Sequence, residues 1–156
     1  LIGNGLVALD SRPEVVEKVL ARPELWHGLI EEILRFDSPT QATNPTVLAE
    51  PFTWQEDVLP AQSRVALHLG SCNRDAAHFQ SPDEFLPERY PNDHLGFASG
   101  THFCAGAALV RLQAEVLLRG LLERYVVRVE GSLEWQQMNR FRGLTRLPVR
   151  LRHRRA

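Results

Sequence analysis

The chain has 156 residues, 44% hydrophobic and 24% charged, a composition that fits one globular domain and excludes long-range disorder and a fibrous chain. A formal net charge of −1 excludes a chain built as a whole to condense on nucleic acid or an anionic membrane. No apolar run reaches the ~18 residues of a membrane span, and two cysteines, Cys72 and Cys104, are too few for a disulfide scaffold and suit a reducing cytoplasm.

Residues 1–37 read as helical. Ser11 is placed to cap a helix through Glu14, Val15, Val16, Val19 and Leu20, with Pro13 in its first turn. Pro23 opens a second helix, in which Leu25, Trp26, Leu29, Ile30, Ile33 and Leu34 form one apolar stripe. Residues 38–100 hold seven of the ten prolines and little helical periodicity. Short strands are predicted at 46–54 and 64–69, followed by a long irregular stretch of a kind that is often functional. From Ala105 to Tyr125 there is no proline, and Ala108, Leu109, Val110, Leu112, Val116, Leu117, Leu118, Leu121 and Leu122 point around most of a helix. Such a helix belongs in a core, and this chain supplies only part of the protein needed around it. Leu147, Val149 and Leu151, alternating with Pro148, Arg150 and Arg152, predict a strand with one wet face. There are 17 Arg against one Lys, Lys18, and seven of the Arg fall in 140–156. A solvated basic tail, Arg150 to Arg155 included, is the plain reading; contact with an acidic partner or phosphate is the sharper one.

The informative segment is Phe97-Ala98-Ser99-Gly100-Thr101-His102-Phe103-Cys104-Ala105-Gly106. A glycine-bearing loop delivers a cysteine to the mouth of a long helix, where unpaired N–H groups and the helix dipole favour thiolate over thiol. Gly100 lets the loop turn, Gly106 leaves room for something flat to approach, and Phe97 is placed to shield the sulfur. Four readings compete: a buried structural cysteine; a nucleophile with His102 or His94 as base; a zinc ligand; and a single axial thiolate to haem iron. His102 is only two residues from Cys104, which suits a base poorly. Zinc wants three or four ligands at recurring spacing, and Cys72 stands far off with no CxxC or HxxxH pattern.

The segment resembles the haem-thiolate loop of the cytochrome P450 monooxygenases of the soluble bacterial type, whose pattern runs Phe, Gly, any, Gly, any, His or Arg, any, Cys, any, Gly. Phe97, Gly100, His102, Cys104 and Gly106 match it. His94-Leu95 resembles its lead-in, and Leu109 and Arg111 its continuation into the helix. Glu32-Ile33-Leu34-Arg35 resembles the family's ExxR helix, Cys72-Asn73-Arg74-Asp75 its strand-end stretch, and Phe85-Leu86-Pro87-Glu88-Arg89-Tyr90 the meander that carries the third member of a Glu-Arg-Arg triad. Arg142-Gly143-Leu144 and Leu147-Pro148-Val149 resemble its C-terminal substrate loop.

The resemblance implies a fold that is mainly α with small β-sheets, the C-terminal portion of the P450 fold from the end of its long central helix. Residues 1–37 would carry the helices including ExxR, 38–100 the short strands and meander, 101–125 the cysteine loop and its helix, and 126–156 the C-terminal strands. Cys104 would be the metal ligand and catalytic centre of haem b (iron protoporphyrin IX). Phe97, Gly100, His102 and Gly106 would line the cofactor, with His102 donating to a propionate. Glu32 and Arg35 share a helix side, an arrangement worth only ~0.3 kcal/mol when exposed; buried with Arg89 they would pin the meander structurally. Arg74 and Arg111 are read as structural too. Ala42, Thr43, Asn44 and Leu144 would contact a small apolar organic substrate, and a ferredoxin- or flavin-type donor would supply electrons. A stand-alone haem-binding or electron-transfer module, a cysteine-dependent hydrolase and a poorly folding truncation remain alternatives.

Four positions depart from the family pattern. Ala98 and Gln62 replace glycines, Gln113 replaces a glutamate, and Pro45 stands where many relatives place a propionate-binding arginine. The only methionine is Met138, so Leu1 is not a translation start and a fragment or processed chain is expected. Leu1-Ile2-Gly3-Asn4-Gly5-Leu6 resembles the second half of the central helix, just past the acid–alcohol pair that delivers protons. A fragment beginning there is expected to be inactive alone.

Overall fold

Residues 1–154 are described by a computed structural model. The first third is helical: α1 (Ile2–Asp10), α2 (Pro13–Ala21) and α3 (Trp26–Phe36) follow one another through short connections. Two boundaries differ from expectation. The Ser11 hydroxyl donates back to the Ala8 carbonyl (3.2 Å) at the end of α1, and Arg12 takes the N-cap position of α2 with no side-chain cap. Pro13 already fixes the first φ of that helix, which lets it start without a hydroxyl. Pro23 opens a 3-10 turn, Pro23–Leu25, and α-helical geometry begins only at Trp26.

In the middle third, β1 (Thr46–Val47) pairs antiparallel with β4 (Arg64–Val65), and β2 (Phe52–Trp54) with β3 (Asp57–Leu59). The strand expected at 46–54 is therefore two strands, broken where Pro51 has no N–H for a ladder. The strand expected at 64–69 stops at Val65. Leu69 instead starts the single turn α4 (Leu69–Cys72), fastened by the Gly70 N–H to the Gln41 carbonyl (3.1 Å). Cys72-Asn73-Arg74-Asp75 thus closes a helical turn, not a strand. From Asn73 to Phe103 the chain makes turns, ending in a 3-10 turn at Gly100–His102. This stretch lies hard against α3. A Cβ at Gly28 would stand 2.1 Å from the Pro87 carbonyl oxygen, so only glycine permits that approach.

The last third contains α5 (Ala107–Leu122), then β5 (Tyr125–Val129), β6 (Glu134–Trp135), β7 (Leu144–Arg146) and β8 (Val149–His153). β5 pairs antiparallel with β8, and β6 with β7. The C-terminal strand forms near the predicted place, but the expected dry face does not: every residue of β8 is exposed. A two-stranded ribbon has nothing to cover its second side, and β5 makes the contacts with α1 and α5. The tail arginines find acids within the chain. Arg142 pairs with Asp37 (2.6 Å), Arg146 with Glu134 (3.3 Å), Arg150 with Glu130 (2.7 Å) and Arg154 with Glu17 (2.9 Å). Arg155 and Ala156, the end of the predicted basic tail, lie outside the described residues.

The apolar stripe of α3 is the centre of the core. Leu29, Ile30, Ile33 and Leu34 are buried against Leu6 and Leu9 of α1, Val19 of α2, and Ala114, Leu118 and Leu122 of α5. Each fully buried Leu or Ile contributes about 2 kcal/mol of burial free energy. α5 is enclosed on one side only: Leu109, Leu112, Val116 and Leu117 remain exposed, Leu112 and Val116 by 61% each. The fold is mainly α with small β-sheets, as expected.

Candidate functional site

Two adjacent carboxylates on α3 organise the irregular stretch. Glu32 is fully buried. Arg35, one helical turn on, donates to both of its oxygens (2.9 and 2.8 Å), and the Arg89 Nε donates at 3.2 Å. The Leu86 amide (2.8 Å) and the Asn92 side chain (3.2 Å) add two more donors. Arg35 goes on to the carbonyls of Asn73, Pro82 and Glu84, and Arg89 to those of Gln80, Ser81 and Glu84. Two guanidinium forks thus satisfy the carbonyls that an irregular chain would otherwise bury unpaired. Nearby, Arg74 donates to the Phe36 carbonyl and to Asp83, with its guanidinium 3.6 Å from the centre of the Phe36 ring.

Glu31 takes other partners. Arg111 of α5 donates to both its oxygens (2.7 and 2.8 Å), and the His94 Nε2 lies 3.1 Å away. Desolvation pushes Glu31 up, but the hydrogen bonds from Arg111 and His94, with their charges, together outweigh it and hold the carboxyl at about 2. The Arg111 guanidinium is raised above its ordinary value, first by the Glu31 hydrogen bond, with burial opposing and the Glu31 charge adding. Sequence reading passed over Glu31 because one acid beside another on a helix carries no pattern of its own.

The cysteine loop closes on itself. The Cys104 amide donates to the Phe97 carbonyl (3.0 Å), and the Cys104 carbonyl accepts from the Ala107 amide (3.1 Å). Ala98 and Gly100 both adopt left-handed backbone, φ +59° and +66°. Gly100 does so freely, whereas Ala98 carries a methyl into a region that disfavours side chains. Gln62 is also left-handed, φ +69°. Cys104 is a free, half-buried cysteine two residues ahead of the Gly106 N-cap of α5. A Cβ at Gly106 would lie 3.9 Å from its Sγ, so the backbone beside the sulfur is bare on that side. Phe97 is buried, with the Arg111 guanidinium 4.7 Å from its ring centre and the Phe103 ring 6.4 Å away. His102 and Gly100 are exposed.

The residues assigned to substrate sit elsewhere on the chain, and the structure brings their two segments together. Thr40 bridges Phe141, the Gln41 amide donates to the Arg140 carbonyl (2.7 Å), and the Arg142 amide to the Pro39 carbonyl (2.8 Å). Ala42 is buried, the Thr43 hydroxyl accepts the Leu67 amide (3.0 Å), Asn44 is exposed and Leu144 half-buried. Asn4 of α1, fully buried, ties these segments to the central helices through the carbonyls of Asp37 and Arg142 (3.0 Å each). Asn4 and the buried Asn73 lie in segments noted for their resemblance, but neither receives a role of its own from the sequence, since an Asn there reads as surface.

Among the described residues no group of three or more His, Cys, Asp or Glu side chains could hold an ion by itself. His94 spends one ring nitrogen on Glu31 and the other on the Gly96 amide (3.1 Å). The donor set is therefore one partly exposed sulfur beside bare backbone at a helix mouth. That suits an iron which brings its own equatorial ligands, and the residues present fit a haem.

Comparisons with known proteins agree. The chain is 38% identical over 154 residues to cytochrome P450 107B1 of Saccharopolyspora erythraea, covering 96% of this chain and 38% of that protein. It is 36% identical to cytochrome P450 monooxygenase PikC of Streptomyces venezuelae, again covering 38% of the relative. The structure superposes on that of P450BioI in complex with a hexadec-9Z-enoic acid-ligated acyl carrier protein with a TM-score of 0.92 at 35% identity, over 97% of this chain and 40% of that one. The chain thus spans about two-fifths of the length of these relatives. No helix among the described residues is long and apolar enough to cross a membrane. The Cytochrome P450 family model matches residues 8–154, nearly the whole chain, and with the superposition this establishes that the chain belongs to the cytochrome P450 family.

Proposed function

We propose that this chain is the proximal part of a haem-thiolate monooxygenase, with Cys104 as the residue that would ligate the iron of haem b. Bound haem supplies the activation of O2, favoured by electron density from the thiolate, for insertion of one oxygen atom into an organic substrate. The chain's own residues hold that ligand and its surroundings. Cys104 presents its sulfur from a loop closed by the Phe97 carbonyl, Gly106 leaves space beside it, and exposed His102 donates to a haem propionate. The Glu32–Arg35–Arg89 cluster keeps the meander in place and takes no part in the chemistry. Ala42, Thr43, Asn44 and Leu144 form one edge of the site for a small apolar organic substrate. Electrons come from a ferredoxin- or flavin-type donor at the Cys104 face, and the protein works in the cytoplasm. Turnover needs more of the protein than residues 1–156.

The observation that carries this reading is a half-buried cysteine two residues ahead of the N-cap of α5, in a structure where no group of three or more ligating side chains forms among the described residues. The reduced, CO-treated chain is expected to show the red-shifted Soret band of thiolate ligation, and Cys104→Ala to abolish it. A band that survives that substitution overturns the assignment. Iodoacetamide alkylation of Cys104 in a chain that binds no haem at all would favour a thiol-dependent hydrolase instead.

A further inference from the structure

Glu31 is not needed by the cluster around Glu32, yet it is held as firmly. Its two oxygens meet the Arg111 guanidinium in a fork-to-fork pair, while its side chain is only 14% exposed. The same carboxylate receives His94, whose second ring nitrogen accepts the Gly96 amide. Between them, the Leu95 amide donates to the Oδ1 of buried Asn73 (2.7 Å), whose Nδ2 donates to the Ser38 hydroxyl (2.7 Å). Residues 94, 95 and 96 are thus each fastened. The next residue, Phe97, accepts the Cys104 amide and lies with its ring against the Arg111 guanidinium. Two routes run from one carboxylate on α3 to the cysteine: Glu31–Arg111–Phe97–Cys104 and Glu31–His94–Gly96–Phe97–Cys104.

We propose that Glu31, Arg111 and His94 are positioning residues for Cys104, a second ionic clamp that sets where the Phe97 carbonyl and ring stand against the ligand loop. The inference deepens the haem-thiolate reading and rests on it. The division of labour follows from position. Glu32 faces the meander and fixes residues 80–92, whereas Glu31 faces α5 and fixes residues 94–104. Outer-shell partners of this kind orient a metal ligand without touching the metal. A loop whose hydrogen bonds drift lets the sulfur leave the orientation that bonding to iron requires.

The test uses the whole 156-residue chain loaded with haem. Three quantities are read: the thermal midpoint, the rate of haem transfer to an apoglobin acceptor, and the red-shifted band of the reduced CO form. Glu31→Gln and Arg111→Met are expected to speed haem loss roughly tenfold and to shift part of the CO band to the position of thiolate-free haem. The effect of the double variant should fall short of the two single effects combined, because both single variants lose the Glu31–Arg111 contact. Glu31→Asp, which keeps the charge on a shorter stem, should recover part of the loss. Arg154→Met, which breaks the distant pair with Glu17, should affect the midpoint alone. Should Glu31→Gln not fold, Arg111→Lys, which keeps charge and loses the fork, carries the same comparison. Variants that lower the midpoint while leaving haem transfer and the band as in the parent overturn the proposal, as do single effects that add in the double variant. A parent chain with no thiolate band brings down the haem-thiolate reading and this inference with it. A parent band that the clamp variants leave untouched brings down this inference alone.

Discussion

Replacing Glu32 by Gln removes one charge from a fully buried cluster and keeps its volume. The carboxylate's four lone-pair sites are saturated by Arg35, Arg89, Leu86 and Asn92. Glutamine puts an NH2 where at least one of these donors points, and leaves two guanidinium groups without a counter-charge, Arg35 fully buried and Arg89 6% exposed. Breaking a buried ionic cluster in this way costs about 3–5 kcal/mol, against a total stability on the order of 5–15 kcal/mol. At about 2–4 °C per kcal/mol for a domain of this size, the thermal midpoint should fall by roughly 10 °C. The comparison is Glu17→Gln, which breaks the Arg154 pair where Glu17 is 63% exposed, a change worth under about 1 kcal/mol. Urea unfolding of both variants gives the difference. Hydrogen exchange at the Leu86 amide, which donates directly to Glu32, locates it. If the two variants unfold within about 1 kcal/mol of each other, or Leu86 stays protected in Glu32→Gln, the cluster does not hold the meander.

Three further outcomes follow from the structure. Glu31 lies below its unfolded value of 4.5, at about 2, so its contribution is complete above the ordinary carboxylate range and is lost as pH falls from 4.5 through about 2. Urea unfolding of the parent and Glu31→Gln should differ by on the order of 2 kcal/mol at pH 6, with the gap closing towards pH 2.5. Gly28→Ala drives a methyl into the Pro87 carbonyl and should cost about 1–3 kcal/mol, seen as a lower thermal midpoint. Ala98→Gly relieves a left-handed alanine and should raise stability by about 1 kcal/mol in the same assay; a loss would show that the φ of +59° carries no strain.

The core and the cysteine loop were legible in the sequence. The α3 stripe at helical spacing is a local pattern, and burial of Leu25, Trp26, Leu29, Ile30, Ile33 and Leu34 follows from the one apolar side such a helix has. The Cys104 loop was legible as well, since glycines, an aromatic residue and a cysteine ahead of an unbroken helix are features of consecutive residues. Strand limits were not. Residues 46–54 and 64–69 have apolar content, but whether a segment pairs depends on a partner that its own sequence does not name. Here the partners are short, and Pro51 and the capture of Gly70 by Gln41 end the pairing.

The sequence alone determined which side chains are apolar at which period and where a thiolate could stand, because those properties belong to neighbours in the chain. Tertiary structure alone decided that Glu31 and Glu32, adjacent in sequence, serve different segments. It also set Asn73, Asn4 and Gly28 as fixed points, and left α5 and β8 with open faces. The physical reason is that a buried polar group or a close backbone approach is defined by what lies across from it. Arg111 is 80 residues from Glu31, and Pro87 far from Gly28, until the chain has folded.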